Sequence, residues 1–362
     1  MKARRAFKVF LLAVVAAVLL PAAAGVKAEA DDAQRGKPGK PLVLKEQGSF
    51  FVGGQAIFTL TGNDTNPAGA RNPGTATINQ TYVEYQIPLA QKSRYPLILL
   101  PGGGHFGKVY ETTPDGREGW ATYFLRRGFP VYNADGVNRG ASSYDITDIV
   151  LGRQGAAPLT AIPNMNRYTY ELAWTQFRIG PSPGVPFPTT QFPVEAFAEY
   201  ANQLVPAFRD PIEDDKNVAA LVALLDRVGP AIVLTWSQSG RFGFRAAVQR
   251  PRLVKALVAL EPAAVSAAGV MTGVSAADLA TLSHIPILLE AGDFDPPRIS
   301  SLRNFANNIG ANASVLVLTE RGILGNGHVV MVEKNNLQVA DLIIAYLRKE
   351  LRLKGDDDDD DD

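Results

Sequence analysis

No cysteine occurs in the 362 residues, so the fold cannot rest on disulfides. Histidine is scarce: three in the whole chain leave few candidates for chemistry that needs an imidazole. Neither charge is in excess, because 36 Lys and Arg balance 36 Asp and Glu. With no basic patch and no basic residues interleaved with aromatics, nothing points to nucleic acid. Apolar runs are short except for Val9 to Leu20 near the N-terminus, and no internal repeat is present.

That one run has company. Lys2, Arg4, Arg5 and Lys8 precede it, and small residues lead to Val26-Lys27-Ala28 or Ala28-Glu29-Ala30. A basic start, a short apolar stretch and a small-residue exit read as a secretory signal over residues 1–28. The run is short for a bilayer span, which needs about 20 residues. The expected product is therefore secreted or periplasmic, with no membrane attachment after signal removal. Residues 29–48, polar with Pro and Gly, read as a mobile leader. The Asp356 to Asp362 block repels itself, so residues 353–362 read as a disordered acidic tail. What remains, residues 49–352, is long enough to bury a core without cross-links.

Within it, strand and helix signals alternate. Phe50-Phe51-Val52 and Ala56 to Leu60 read as a first hairpin, and Thr81 to Ile87 as a third strand. Leu97 to Leu100, Pro130 to Asn133, Pro230 to Leu234, Val254 to Leu260, Pro286 to Glu290 and Ser314 to Leu318 are short apolar runs, typical of a buried parallel sheet. Helices are expected over Arg117–Arg127, Lys216–Val228, Arg241–Arg250 and Asn336–Leu351. The pattern predicts an α/β fold: a mostly parallel sheet, helices on both faces and an antiparallel N-terminal edge. Residues 151–210 break the alternation with many prolines and aromatics. An irregular insertion of that length reads as a cap or lid, with Trp174 and Phe177 as pocket-wall candidates.

Between the Pro230–Leu234 strand and its helix lies Thr235-Trp236-Ser237-Gln238-Ser239-Gly240. A serine on a tight strand-to-helix turn is the nucleophile elbow of an α/β-hydrolase, usually G-x-S-x-G. Here Thr235 and Ser239 stand in the glycine positions. Ser237 is the better nucleophile than Ser239, because Arg241 would otherwise fill a position that requires a small residue. A serine needs a base. In the hydrolase order of serine, acid, histidine, only His284 and His328 follow Ser237. His284 precedes its strand, whereas His328 follows the last strand, on the edge where such sites form. Glu261 and the Asp293/Asp295 pair all end strands on that edge, and spacing does not choose among them. Oxyanion donors are expected from the backbone of Gln238 and of the Gly102-Gly103-Gly104 loop, beside which stands His105.

Longer stretches carry a resemblance. Gly48 to Gly54, Tyr110 to Arg117, Ser237-Gln238-Ser239-Gly240, Glu261-Pro262, Gly325-Asn326-Gly327-His328 and Lys334 to Leu337 together resemble secreted bacterial α/β-hydrolase carboxylesterases with a G-H-S-Q-S-G elbow. The resemblance implies a Ser237, Glu261, His328 triad, with Gly103 and Gln238 as the oxyanion hole. It also marks two departures: Trp236 replaces the family's histidine, and Gly103-Gly104 its frequent Cys-Cys pair. Gly104, His105 and Trp236 thereby join the substrate-contact candidates. The expected activity is hydrolysis of a small-molecule or polymer-derived ester, with neither cofactor nor metal. The only other partner expected is, at most, a second copy of the chain. Amidases, lactonases, C–C hydrolases and depolymerases use the same machinery. A turnover-dead binding protein on this fold is the rival class, and the intact Ser-Glu-His set argues against it.

Overall fold

The computed structural model of the protein describes residues 41–59, 73–208 and 211–353. The expected signal segment, most of the leader and residues 354–362 of the acidic tail lie outside the described residues. Strand β1 begins at Leu44, so the last residues assigned to the leader are strand instead. The expected first hairpin is also corrected. Residues Leu44–Thr59 form one strand, β1, paired antiparallel with β2 (Gly74–Pro88). Gly53 and Gly54 both have positive φ, yet the pairing continues past them, with Gly53 opposite Gln80 and Gln55 opposite Ile78. They kink a strand rather than reverse it.

β1 and β2 begin an eight-stranded sheet completed by β3 (Leu97–Leu100), β4 (Val131–Ala134), β7 (Ala231–Trp236), β8 (Val254–Leu260), β9 (Ile287–Ala291) and β10 (Ala313–Val317). The order is β1-β2-β4-β3-β7-β8-β9-β10, and every pairing from β4 to β10 is parallel. Period-two alternation sends neighbouring side chains to opposite faces. Leu97 and Leu99 join one core with α1 (Trp120–Arg126) and α9 (Asn336–Leu351). Ile98 and Leu100 join the other, with α5 (Pro211–Val228), α6 (Ser239–Gln249), α7 (Ala276–Leu282) and α8 (Pro296–Ile309). Strands buried on both faces explain why these runs carry almost no polar residue. Among the described residues no helix is long and apolar enough to cross a membrane.

The chain between β4 and α5 forms the irregular region. It contains α2 (Thr147–Arg153), α3 (Tyr170–Gln176), α4 (Phe197–Asn202) and a two-stranded ribbon of β5 (Met165–Asn166) against β6 (Ala207–Phe208). Several of its aromatics are buried, although Tyr170 is 52% exposed. Trp174 is 8% exposed, lies 5.0 Å from Phe197 and donates its indole N–H to the Val185 carbonyl. Phe192, Phe197 and Tyr200 pack in the same core as α1 and α9. The expectation that Trp174 walls the pocket is therefore corrected to a packing role. A loop-rich segment has few ladders to hold it and uses clustered rings instead. Trp174→Ala should cost on the order of 3 kcal/mol of stability. Urea denaturation together with relative rates on a panel of esters checks this: stability should fall while the rate ratios stay put.

Candidate active site

Loops after the six parallel strands converge at the edge where open α/β sheets build sites. Ser237 follows β7 directly and has φ 55°, a left-handed conformation that strains a residue with a side chain. Hydrogen bonds on both sides hold it there: its N–H donates to the Leu260 carbonyl (2.9 Å), and its carbonyl accepts from Ala263 (2.9 Å) and Gly240 (3.1 Å). Both departures from the glycine pattern have a local remedy. The Thr235 methyl sits where α6 presents Gly243, whose Cβ, had it one, would lie 2.7 Å away. The Ser239 hydroxyl accepts from the Trp236 N–H (2.9 Å) and faces the Leu100 and Trp236 carbonyls at 3.0 Å. Ser239 is thus a buried strut of the turn, and Ser237 is the partly exposed serine.

His328 arrives from the loop after β10. Its Nε2 lies 2.8 Å from Ser237 Oγ, and its Nδ1 lies 2.5 Å from Glu261 Oε2. A carboxylate only accepts, so Nδ1 carries the proton and Nε2 offers its lone pair to the serine hydroxyl. Glu261 leaves β8 with φ 39°, and its second oxygen accepts from the Gly292 N–H (3.1 Å). Of the three acids that spacing left open, Glu261 is the one bonded to His328. Asp293 instead accepts from the backbone of Gly325 and Asn326, and Asp295 pairs with Arg298 at 2.9 Å. Burial first, then the cations Arg178 and Arg298, hold the His328 imidazole well below the ordinary histidine range. The ring is neutral at neutral pH, with an Nε2 lone pair within hydrogen-bonding distance of the Ser237 hydroxyl.

The His328 loop is clamped along its length. Glu333 accepts from the Gly327 N–H (2.7 Å) and the Asn326 amide (2.6 Å), and Asn335 pairs with Asn326. Arg117, steadied by Asp115 at 2.6 Å, donates to the Val332 and Glu333 carbonyls. The long motifs around Arg117 and Asn335 therefore serve to hold this loop. From the other side, the His328 N–H donates to the Phe177 carbonyl (3.0 Å), and the two rings lie nearly parallel, 6.1 Å apart. The Trp236 indole donates to the His328 carbonyl at 2.6 Å. Trp236 is fully buried and Phe177 is 3% exposed, so both support His328 from behind rather than wall a pocket.

The glycine loop after β3 is organised by two residues. Arg139, buried and missed by motif reading, donates to the Gly102 carbonyl (2.8 Å) and to Gln238 Oε1 (2.7 Å). It thereby ties the loop to the residue after the serine. His105 lies in the loop itself. Its Nδ1 is 3.1 Å from the Gly103 carbonyl and its Nε2 is 2.8 Å from the Tyr200 hydroxyl. Gly104 has φ 74°, and a Cβ there would fall 2.2 Å from the Tyr168 ring, so a side chain is excluded. Gly104 and His105, expected as substrate contacts, are both buried, and the contacts the structure shows for them are to the loop and to Tyr168 and Tyr200. His284, by contrast, is exposed and remote from this edge. Arg178 and Arg298, which flank Glu261, were also missed. Nothing in local spacing marks them, since their partners lie far away in sequence.

No family model matches the chain. Over 321 residues it is 32% identical to a probable secreted lipase, phiG, of a fungal species (strain ATCC 74256), covering 74% of this chain and 86% of that protein. A solved structure described as that of a novel bacterial esterase is 36% identical, with a TM-score of 0.79 over 86% of this chain and 98% of that one. The chain belongs to the α/β-hydrolase family of that lipase and that esterase. Membership agrees with the sheet order, in which β1 and β2 form the antiparallel edge and the Ser237, Glu261 and His328 loops follow β7, β8 and β10. Among the described residues of this α/β-hydrolase, the backbone N–H groups of Gly103 and Gln238 donate to no protein acceptor.

His105 generates a prediction about pH. Burial, with Arg139 and His328 adding to it, lowers its imidazole from 6.5 to about 3. The unfolded chain therefore binds this proton more readily than the fold. The stability it permits is complete above 6.5 and falls as pH drops towards 3. At pH 5 the loss is about 2 kcal/mol. His105→Gln should show a correspondingly smaller fall in unfolding free energy between pH 7 and pH 5. An unchanged fall would mean that this imidazole is not linked to unfolding.

Proposed function

We propose that the protein is an exported serine hydrolase that cleaves carboxylic esters through an acyl-enzyme, with Ser237 as nucleophile, His328 as base and Glu261 as acid. One observation carries the reading. Ser237 Oγ, on its elbow, lies 2.8 Å from His328 Nε2, while Nδ1 of the same ring lies 2.5 Å from Glu261. The chemistry follows from those positions. As Ser237 attacks the acyl carbon, its proton passes to Nε2, and Glu261 stabilises the imidazolium that results. The Gly103 and Gln238 N–H groups, held by Arg139, meet the charge that develops on the carbonyl oxygen. His328 then returns the proton to the leaving alcohol. Water, deprotonated by the same ring, releases the acid and restores Ser237. The sequence of steps needs no metal or organic cofactor.

The substrate is a small-molecule or polymer-derived ester. Support for the bond type comes from the esterase and lipase relatives. Support for export comes from the basic and apolar N-terminal segment, and from a relative described as secreted. We read residues 49–352 as one hydrolase domain with its cap at 151–210.

A fluorophosphonate probe and a panel of p-nitrophenyl esters, run beside amides and lactones, test this reading. Ser237→Ala should abolish labelling and turnover, whereas Ser239→Ala should lower stability and keep the label on Ser237. Label mapped to Ser239 would overturn the nucleophile. Glu261→Gln should lose about 10³- to 10⁴-fold in kcat, since an amide cannot stabilise the imidazolium. Asp293→Asn and Asp295→Asn should lose far less; if one of these is the dead variant, the acid is misassigned.

A further inference from the structure

The cap does more than cover the sheet: it delivers a guanidinium to the acid end of the Ser237–His328–Glu261 chain. Arg178 follows α3 with φ 55°, held by its N–H to the Thr175 carbonyl at 3.1 Å. Its side chain, 14% exposed, ion-pairs with the Glu261 oxygen that also binds His328. Its Nη2 is 3.1 Å from His328 Nδ1 and its Nη1 is 3.6 Å from Asp295. In the tautomer with Nδ1–H, two donors face each other there, so the contact with the ring is a charge contact and not a hydrogen bond.

The surroundings bring in other charges. Arg298 of α8 lies 4.0 Å from the same Glu261 oxygen and is bonded to Asp295. Glu290 of β9 and Glu333, before α9, are pushed up by burial to about 8 and about 7, and Asp293 also lies upward of its usual range. His105, on the loop side, is neutral. Glu290 is therefore protonated at neutral pH. At the centre, two cations, Arg178 and Arg298, stand against two anions, Glu261 and Asp295. These four charges cancel before His328 takes a proton, Glu333 adds a part-ionised carboxyl near neutral pH, and an imidazolium adds a third positive charge beside Arg178.

We propose that Arg178 is a positioning residue through which the cap anchors Glu261 and keeps the His328 imidazole neutral into acid, setting the lower pH limit of activity. This rests on His328 acting as the base for Ser237. A cation within about 4–6 Å disfavours a second one by one unit or more, so removing Arg178 lets His328 hold its proton to higher pH. Asp295 has the opposite sign: its charge favours the imidazolium, and its removal lets the ring lose its proton at lower pH.

The test is the pH dependence of kcat/KM with p-nitrophenyl acetate for the wild type, Arg178→Gln, Arg178→Lys and Asp295→Asn. The acid limb should rise by about one pH unit in Arg178→Gln. It should stay nearer the wild-type position in Arg178→Lys and fall in Asp295→Asn. Trp174→Ala, which loosens cap packing without touching charge, should leave the limb in place while lowering Tm. A folded fraction that is constant over the pH range scales the rates without moving the limb, so circular dichroism at each pH accompanies the profile and only the pH range in which each variant stays folded is fitted. If Arg178→Gln does not fold, the outcome is decided by Arg178→Lys, whose limb should stay near the wild-type position, read against Asp295→Asn, whose limb should fall. A limb that is the same in all these variants, or that moves equally with Trp174→Ala, overturns the proposal. NMR titration of the His328 ring in a Ser237→Ala background reads the same shift without turnover. A wild type inactive at every pH would sink the ester-hydrolase reading, while the ring titration would still judge Arg178.

Discussion

The 2.5 Å hydrogen bond between His328 Nδ1 and Glu261 joins the loop after β10 to the loop after β8, across the strand that separates them. Most of the polar structure on this edge of the sheet serves to keep that bond in place. Glu261 is held on one oxygen by Gly292 and on the other by His328 and Arg178. His328 is held through its N–H, its carbonyl and both ring nitrogens. A buried carboxylate and imidazole would each pay heavily for desolvation if left alone. Linked to each other and to the Arg178 guanidinium, the carboxylate and the imidazole each have a partner for their buried polar atoms.

The same logic governs the glycine loop. Arg139 reaches the Gly102 carbonyl with one nitrogen and the Gln238 side chain with another. A planar guanidinium suits such a double task because its donors have fixed relative directions. His105 and Val205 take the Gly103 and Gly104 carbonyls. With the carbonyls engaged on the protein side, the Gly103 N–H is left free on the other, which is the arrangement an oxyanion requires.

The irregular chain between β4 and α5, the proposed cap, is built as a brace. Phe177 supplies a carbonyl and a ring to His328, Thr189 lies where a side chain at Gly325 would have to go, and Gln191 exchanges backbone bonds with Gly325 and Lys334. Segments remote in sequence thus grip the histidine loop from the cap side while Glu333 and Arg117 grip it from the body. Precise placement over a few tenths of an ångström decides whether a base is useful, and bracing from several elements is how side chains are held to that tolerance.

The local sequence determined a good deal. Apolar runs such as Leu97–Leu100 and Val254–Leu260 are strands at those residues because only strands buried on both faces tolerate them, and Asn336–Leu351 is the final helix. The elbow was legible in the small residues around Ser237, and His328 in the chain order. The hairpin at Gly53-Gly54 was misread, since positive-φ glycines suit a bulge as well as a turn, and pairing with β2 makes the choice. Three acids end strands on one edge, so which of them meets His328 depends on how each strand's last residue leaves the sheet. Glu261 turns back through φ 39° towards His328, while Asp293 is occupied by the backbone of the histidine loop. Arg139, Arg178 and Arg298 had no local signal at all. Aromatics in the cap suggested a pocket because sequence records that a ring is apolar but not which surface it covers. Periodicity and turn chemistry act over a few residues and can be read along the chain, whereas burial, ion pairing and the choice of a partner depend on distances that only the folded chain creates.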